Sequence, residues 1–421
     1  MDFLTKGLPV TDRFAQRKVL DIFYEPYEKG FIFNRNGVFI GPSGTGKSFT
    51  MNALLYFAKI QGAHITIVDI GHSYRRLGEV LEAKYISHEV DNPISLNPFY
   101  FASPNQITTE FKGVIVQILS ILFKKSTDPL TKSQDVALAE LVNEYYKFLQ
   151  NDSSYKPNFN SLYEFADNHF RQIFKEKLKG REEIEFDINN FLFNLRPFYK
   201  GGVYDFLLNS EKEEDLSQIP LLIYDIDNLR DNEILLPIVI LIITNTYVSQ
   251  LFSVKNKLKI LIIEEAWKAI SNEFFAEFLL WAFKTARKHG GSIFVVTQDI
   301  EDIKKSKAIG DAIINNTQIK ILMDLRQYKQ DIEGVLMLFQ VNRSDIGQIF
   351  SINKKPFERS SFNEFAVIMN GKCKVFGLDV PKKAYALFTT TPNEVYEINK
   401  IAHTRCISQK EAAMIWADEY G

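Results

Sequence analysis

Residues 41–48 read Gly-Pro-Ser-Gly-Thr-Gly-Lys-Ser, a complete G-x-x-x-x-G-K-[ST], and no other stretch restricts the chain so tightly. Apolar Val38-Phe39-Ile40 precedes it as a buried strand, and Met51 to Ala58 follows as a helix. Strand, glycine-rich turn and helix are the setting that a polyphosphate-binding loop requires. At an average glycine usage of about 7%, the four fixed positions coincide by chance in roughly one or two chains per hundred of this length. The flanking strand and helix lower that further. The chemistry dictates the residue types. A polyphosphate needs several N–H donors converging on it, and glycines let the backbone curl closely round it. The helix start adds free N–H groups and the positive end of its dipole. Gly41, Pro42, Ser43, Gly44, Thr45, Gly46, Lys47, Ser48 and Phe49 are therefore the expected nucleotide contacts. ATP and Mg²⁺ are the expected ligands, with Lys47 on the β- and γ-phosphates and the Ser48 hydroxyl on the metal.

The remaining pattern predicts an α/β fold with a mainly parallel sheet. Ala63 to Asp69, Tyr85 to Ser87, Leu221 to Asp225, Leu258 to Ile263, Ser292 to Val296 and Lys320 to Met323 read as strands. A short strand is also expected within 30–37, ahead of the glycine-rich loop. Helices are expected over 232–251, 274–288, 329–350 and 392–420. Residues 365–369 and 373–378 read as a hairpin turned at Asn370-Gly371, a strong turn signal. Between about 105 and 200 the character changes. Phe111 to Phe123, Ser133 to Leu149 and Phe159 to Lys177 carry helical spacing, which predicts an all-α insertion without catalytic groups. The expected division is 1–104 and 201–391 as the two parts of the ATPase domain, 105–200 as the insertion, and 392–421 as a helical tail. The acidic run 211–215 reads as a solvated loop.

Composition excludes several alternatives. Lys plus Arg is 50 against 52 for Asp plus Glu, so a protein coated for nucleic acid is not indicated, although a local basic patch fits a neutral total. Two distant cysteines, Cys373 and Cys406, and scattered histidines give neither zinc-ligand spacing nor a disulfide framework, and point to a reducing compartment. Met1 to Lys6 does not read as a signal peptide. The longest apolar run, near Ile234 to Ile243 and interrupted by Pro237, is too short to span a bilayer and reads as a buried helix.

Hydrolysis also needs a strand that ends in acids beside the loop. Ile260 to Ile263 runs into Glu264 and Glu265. Glu264 is expected to orient Mg²⁺ and Glu265 to polarise the attacking water. The usual first acid is Asp, so Glu264 departs from the common pattern. Gln298, at the end of the next strand, is placed to sense the γ-phosphate. Arg287 is the candidate arginine finger, acting on a neighbouring subunit's phosphates, with a cationic helix end answering the dipole as the alternative. Arg326 is a weaker candidate.

Residues 41–48, Ile67 to Tyr74, Asn97-Pro98-Phe99, Ile263 to Lys268, Arg287-Lys288 and Val296-Thr297-Gln298 together resemble the traffic ATPases of conjugative type IV secretion. These are the fourth VirB component and its TraC and TraG-type relatives, and the likeness is strongest to the TraG-type ATPases of conjugative transposons. It covers roughly residues 30–330. The resemblance implies a RecA-like P-loop domain of the HerA/FtsK group with a helical insertion. It implies a hexamer at the cytoplasmic face of the inner membrane, energising pilus biogenesis and substrate transfer alongside inner-membrane secretion-channel subunits. It matches Lys47, Ser48, Glu264, Glu265, Arg287 and Gln298 to the family's functional positions. It also implies a large N-terminal docking domain, so that this chain reads as the C-terminal ATPase half and is expected to be largely monomeric when dilute. Two rival readings share the motifs: a DNA-translocating relative or coupling protein, and a nucleotide-gated assembly module with little turnover.

Overall fold

The computed structural model describes residues 7–420 except 15, 90, 102, 105–106, 125–127, 152–154, 179–185, 212–214, 266–272, 306, 354–363 and 379. The Ala266-Trp267-Lys268 part of the resemblance and most of the acidic run at 211–215 lie outside the described residues.

Among the described residues, eleven strands form one sheet in the order β2-β1-β11-β10-β9-β3-β8-β7-β4-β6-β5. Seven of them run parallel: β3 (Gly37–Ile40), β4 (His64–Asp69), β5 (Lys84–Ser87), β6 (Leu221–Asp225), β7 (Lys259–Glu264), β8 (Gly291–Thr297) and β9 (Ile319–Leu322). Most of these strands are buried on both faces, which is why they read as continuous apolar runs. An antiparallel extension completes the sheet. Its strands are β10 (Glu364–Met369), β11 (Lys372–Leu378), β1 (Leu8–Asp12) and β2 (Arg17–Leu20). The β10–β11 turn has Asn370 at φ 48° and Gly371 at φ 70°, the backbone that an Asn-Gly pair adopts at low cost.

Helices cover both faces. The loop helix α1 (Lys47–Ile60) and α2 (Arg75–Val80) pack on one face with the alternate residues Phe39, Ile65, Ile67, Ile260 and Ile262. The other face carries Val38, Ile40, Val68, Leu261 and Ile263. It receives α3 (Thr109–Phe123), α4 (Lys132–Asn151), α5 (Phe159–Phe165), α6 (Arg171–Leu178) and α7 (Ile188–Leu195). One π-helical turn, Ala166–Phe170, joins α5 to α6. Between β5 and β6 the described residues contain no strand. The buried side chains of this stretch are continuous with those of the sheet face.

The apolar helix α8 (Leu235–Ser253) lies between strands β4 and β7 and helix α3 and is almost wholly buried. It is long and apolar enough to cross a membrane, but here it is a core helix. Pro237 falls in its first turn, where a missing N–H is tolerated, and so does not interrupt it. Further helices follow: α9 (Glu273–Lys288), α10 (Ile300–Lys305), α11 (Lys307–Asn316), α12 (Ile332–Phe339), α13 (Arg343–Ile349), α14 (Lys382–Phe388), α15 (Pro392–Arg405) and α16 (Gln409–Glu419).

Three expectations require correction. No strand forms within residues 30–36, because the Gln318 side chain accepts from the N–H groups of Phe33 and Asn34 and so replaces a pairing strand. The helix expected over 329–350 is two helices, broken where Gln340 turns left-handed at φ 55°. The helical tail is likewise divided at Cys406, φ 51°, and restarts on a Ser408–Glu411 capping box.

Candidate nucleotide site

Strand β3 lies between β8 and β9 and delivers the glycine-rich loop to the carboxyl edge of the parallel sheet, where open α/β folds place their ligands. Gly44 and Gly46 adopt φ 77° and 89°, which a side chain would oppose. A Cβ at Gly41 would sit 2.6 Å from Met323 Cγ. The Thr45 hydroxyl donates to the Pro42 carbonyl at 2.6 Å and closes the loop on itself. Helix α1 then starts at Lys47, so its free N–H groups face the loop.

A cavity of about 1050 Å³ opens over this loop. It is lined by Pro42, Ser43, Gly44, Gly46, Lys47, Ser48 and Phe49 together with Glu264, Glu265 and Gln298. Gly41 and Thr45 do not line it, and they shape the loop instead. Glu264 ends β7 and is almost fully buried. Its Oε1 accepts from the Tyr74 hydroxyl at 2.8 Å and faces Lys47 Nζ at 3.7 Å. Burial pushes the Glu264 carboxyl up, and the Lys47 charge opposes that shift. Glu265 leaves the strand on a left-handed backbone, φ 49°, with its N–H bonded to the Val296 carbonyl. Gln298 Nε2 donates to Glu265 Oε1 at 2.8 Å, so these two candidate residues, predicted separately, meet at adjacent strand ends.

The donors are oxygens, which suits a hard cation. Ser48 Oγ donates to Ser73 Oγ at 3.2 Å, and Glu264 stands in the same cavity. Among the described residues no three His, Cys, Asp or Glu side chains converge as a metal cage. Mg²⁺ does not require one in a nucleotide site, since phosphate and water supply most of its ligands. The Ser48–Glu264 pair therefore fits Mg²⁺.

The two arginines fall elsewhere. Arg287 is exposed at the end of α9, before the amino end of β8, whereas the loop meets the carboxyl end of β8 at Thr297. Arg326 is exposed, and its Nε donates to both Asp324 carboxylate oxygens at 2.8 and 2.7 Å.

Sequence reasoning missed the cavity's other wall. Arg230 lines it from the loop after β6, and Leu378, Val380, Lys382, Tyr385, residues 389–392 and Trp416 line it from the C-terminal region. The segment carrying Tyr385 packs on the loop helix through aromatic contacts of Phe49 with Tyr385 and of Tyr56 with Phe388, at 5.3 and 5.2 Å between ring centroids. The aromatic residues on α1 were a weak sequence signal for such a partner.

Asp69 ends β4 fully buried, and its two oxygens accept from the N–H groups of Ser73 and Tyr74, both at 3.0 Å. Burial first, then the nearby Glu264, raise its pKa to about 7. Folding therefore takes up a proton between the ordinary value of 3.8 and about 7, and the contribution of this group to stability declines as pH rises through that window. Asp69→Asn should flatten the fall in urea-unfolding free energy between pH 5 and 8, by on the order of a few kcal/mol. An unchanged slope in the variant would exclude Asp69 as its source.

Comparison with known proteins gives three consistent findings. The TraG P-loop domain family model matches residues 7–420. Protein TraC of Escherichia coli K12 is 23% identical over 313 residues, which is 73% of this chain and 34% of TraC. The type IV secretion system protein CagE of Helicobacter pylori is 23% identical over 418 residues, 93% of this chain and 40% of CagE. The chain thus spans well under half the length of these curated relatives. In fold it is similar to VirB4 of Thermoanaerobacter pseudethanolicus, with TM-score 0.62 and 18% identity over 92% of this chain and 98% of that one. It is also similar to the plasmid coupling protein TrwB in complex with the non-hydrolysable ATP analogue ADPNP, with TM-score 0.53 and 15% identity over 83% and 86%. The phosphate-loop geometry and the family match agree, and the chain belongs to the TraG P-loop domain family.

Proposed function

We propose that this chain is the ATPase motor of a conjugative type IV secretion machine, converting ATP and water to ADP and phosphate to energise pilus biogenesis and the transfer of DNA or protein. The observation that carries it is the convergence of Lys47, Ser48, Glu264, Glu265 and Gln298 on one cavity of nucleotide size. Lys47 binds the β- and γ-phosphates, and the loop N–H groups cradle them. Ser48 and Glu264 would hold Mg²⁺, which when bound neutralises charge on the phosphate oxygens. Glu265 takes the proton of the attacking water while Gln298 fixes the carboxylate's orientation.

The wider assignments belong to the same proposal. They are a hexameric assembly, the cytoplasmic face of the inner membrane, secretion-channel partners, and a division at residues 105–200 into ATPase core and helical insertion.

Glu265→Gln tests the reading. It should keep nucleotide affinity and lower phosphate release by about 10²–10⁴-fold, while Glu264→Gln weakens the Mg²⁺ dependence. If Glu265→Gln turns over normally and Glu264→Gln is dead, the two roles are reversed. If the wild-type chain shows no Mg²⁺-dependent phosphate release at any protein concentration, the enzyme reading fails. A DNA-translocating relative or coupling protein is the second reading, and the fold it shares with the plasmid coupling protein TrwB is compatible with it. Salt-dependent binding of duplex DNA is its test.

A further inference from the structure

The acid that ends β7 is a glutamate, one methylene longer than aspartate. A longer carboxylate has an extra free torsion and must be held to meet a metal in one geometry. We propose that Tyr74 is the positioning residue that holds the Glu264 carboxylate in one orientation, and that the Ile70 to Tyr74 loop sets both protein oxygens, on Ser48 and Glu264, that would hold the cation. The inference rests on the Mg²⁺-ATP reading of this cavity.

Strand β4 lies directly beside β7, with Val68 opposite Ile263, so the loop leaving β4 emerges next to Glu264. The Tyr74 ring is fully buried in the core beneath α1. Its hydroxyl donates to Glu264 Oε1 at 2.8 Å, on the same oxygen that faces Lys47. Tyr74 does not move freely, because its own N–H is bonded to Asp69 Oδ2 at 3.0 Å. The preceding residue is tied in parallel. The Ser73 N–H donates to Asp69 Oδ1 at 3.0 Å, and its carbonyl accepts from Asn52 Nδ2 of α1 at 3.0 Å. Its hydroxyl accepts from Ser48 Oγ at 3.2 Å. One buried carboxylate thus anchors two successive residues, of which Ser73 reaches Ser48 and Tyr74 reaches Glu264. A tyrosine that merely satisfied its hydroxyl in the core would not require its neighbour to hold the other cation-side oxygen.

Tyr74→Phe keeps the ring and removes the hydroxyl. The full 421-residue chain is titrated with Mg²⁺ in the presence of a fluorescent ATP analogue, and binding is repeated in EDTA. The Mg²⁺ concentration at half-saturation should rise about 10-fold, the size expected for losing a hydrogen bond to a charged group, while affinity in EDTA stays at the wild-type value. Glu264→Gln should produce a similar rise, and adding Tyr74→Phe to it should produce no further one, because both changes act through one contact. Glu264→Asp provides a second route, since it breaks the same bond without altering the tyrosine, and it should also raise the half-saturation. The inference is overturned if Tyr74→Phe leaves the Mg²⁺ titration unchanged while Glu264→Gln shifts it. It is equally overturned if the two effects multiply, or if Tyr74→Phe weakens binding equally in EDTA. A wild-type chain with no Mg²⁺-dependent nucleotide binding would instead remove the functional reading itself.

Discussion

Lys47→Ala should lower phosphate release by about 10³-fold or more, because the variant loses the cation aimed at the transferring phosphoryl group. Lys47 is buried, so its charge acts where water does not screen it. Nucleotide affinity should fall as well, since in the proposed mechanism the lysine contacts the ground-state phosphates. A folding control is needed because Lys47 also faces the buried Glu264. Removing one partner leaves the other charge without compensation, but Glu264, already pushed up by burial, can take a proton instead. The stability deficit of the variant should therefore be smaller at pH 6 than at pH 8, when measured by thermal unfolding without nucleotide. Phosphate release at the wild-type rate would refute the assignment of Lys47. A deficit independent of pH would show that the Lys47–Glu264 contact contributes little to stability.

Specific activity should rise with protein concentration, and Arg287→Ala should abolish that rise. Strand β8 spans Gly291–Thr297, so Arg287 lies roughly 20 Å from its own phosphate loop, beyond the reach of its side chain. An arginine supplied by a neighbour adds about 10³–10⁵ to the rate in other P-loop enzymes. At saturating protein concentration the Arg287→Ala loss should approach that range, with nucleotide affinity close to wild type. Mixing Arg287→Ala with Glu265→Gln should restore part of the activity, since one mixed interface combines an intact base with an intact arginine. The measurement is phosphate release over a wide dilution series for each protein and for the mixture. A flat wild-type profile with no rescue would leave Arg287 as a cationic helix end that answers the α9 dipole.

The residues legible in the sequence are those whose chemistry is local. Gly44 and Gly46 need left-handed backbone, and Lys47 and Ser48 start a helix, all within one turn of chain. The apolar run ending at Glu264 showed an acid leaving a buried strand beside the loop, and the strand register places Asp69 and Asp225 side by side at the ends of neighbouring strands. Asn370-Gly371 specified its hairpin through its own backbone preference. Periodicity separated the helical stretch after β5 from the sheet, although its boundaries with the core remain a proposal.

Strand order was not legible, because periodicity records which face a residue occupies and not which strand lies beside it. That order puts β4 next to β7 and so brings Tyr74 to Glu264 from far along the chain. It sets β8 against β7, so that Gln298 reaches Glu265. Packing of α14 against the loop helix and α2, and of α16 against α2 and α14, brings Tyr385 and Trp416 to the cavity, and nothing near those residues announces a nucleotide. The sequence by itself determined a phosphate loop and a mainly parallel sheet with acids at its edge. Only the tertiary structure decided which side chains hold those acids in place and which wall closes the cavity, since both depend on contacts between segments distant in sequence.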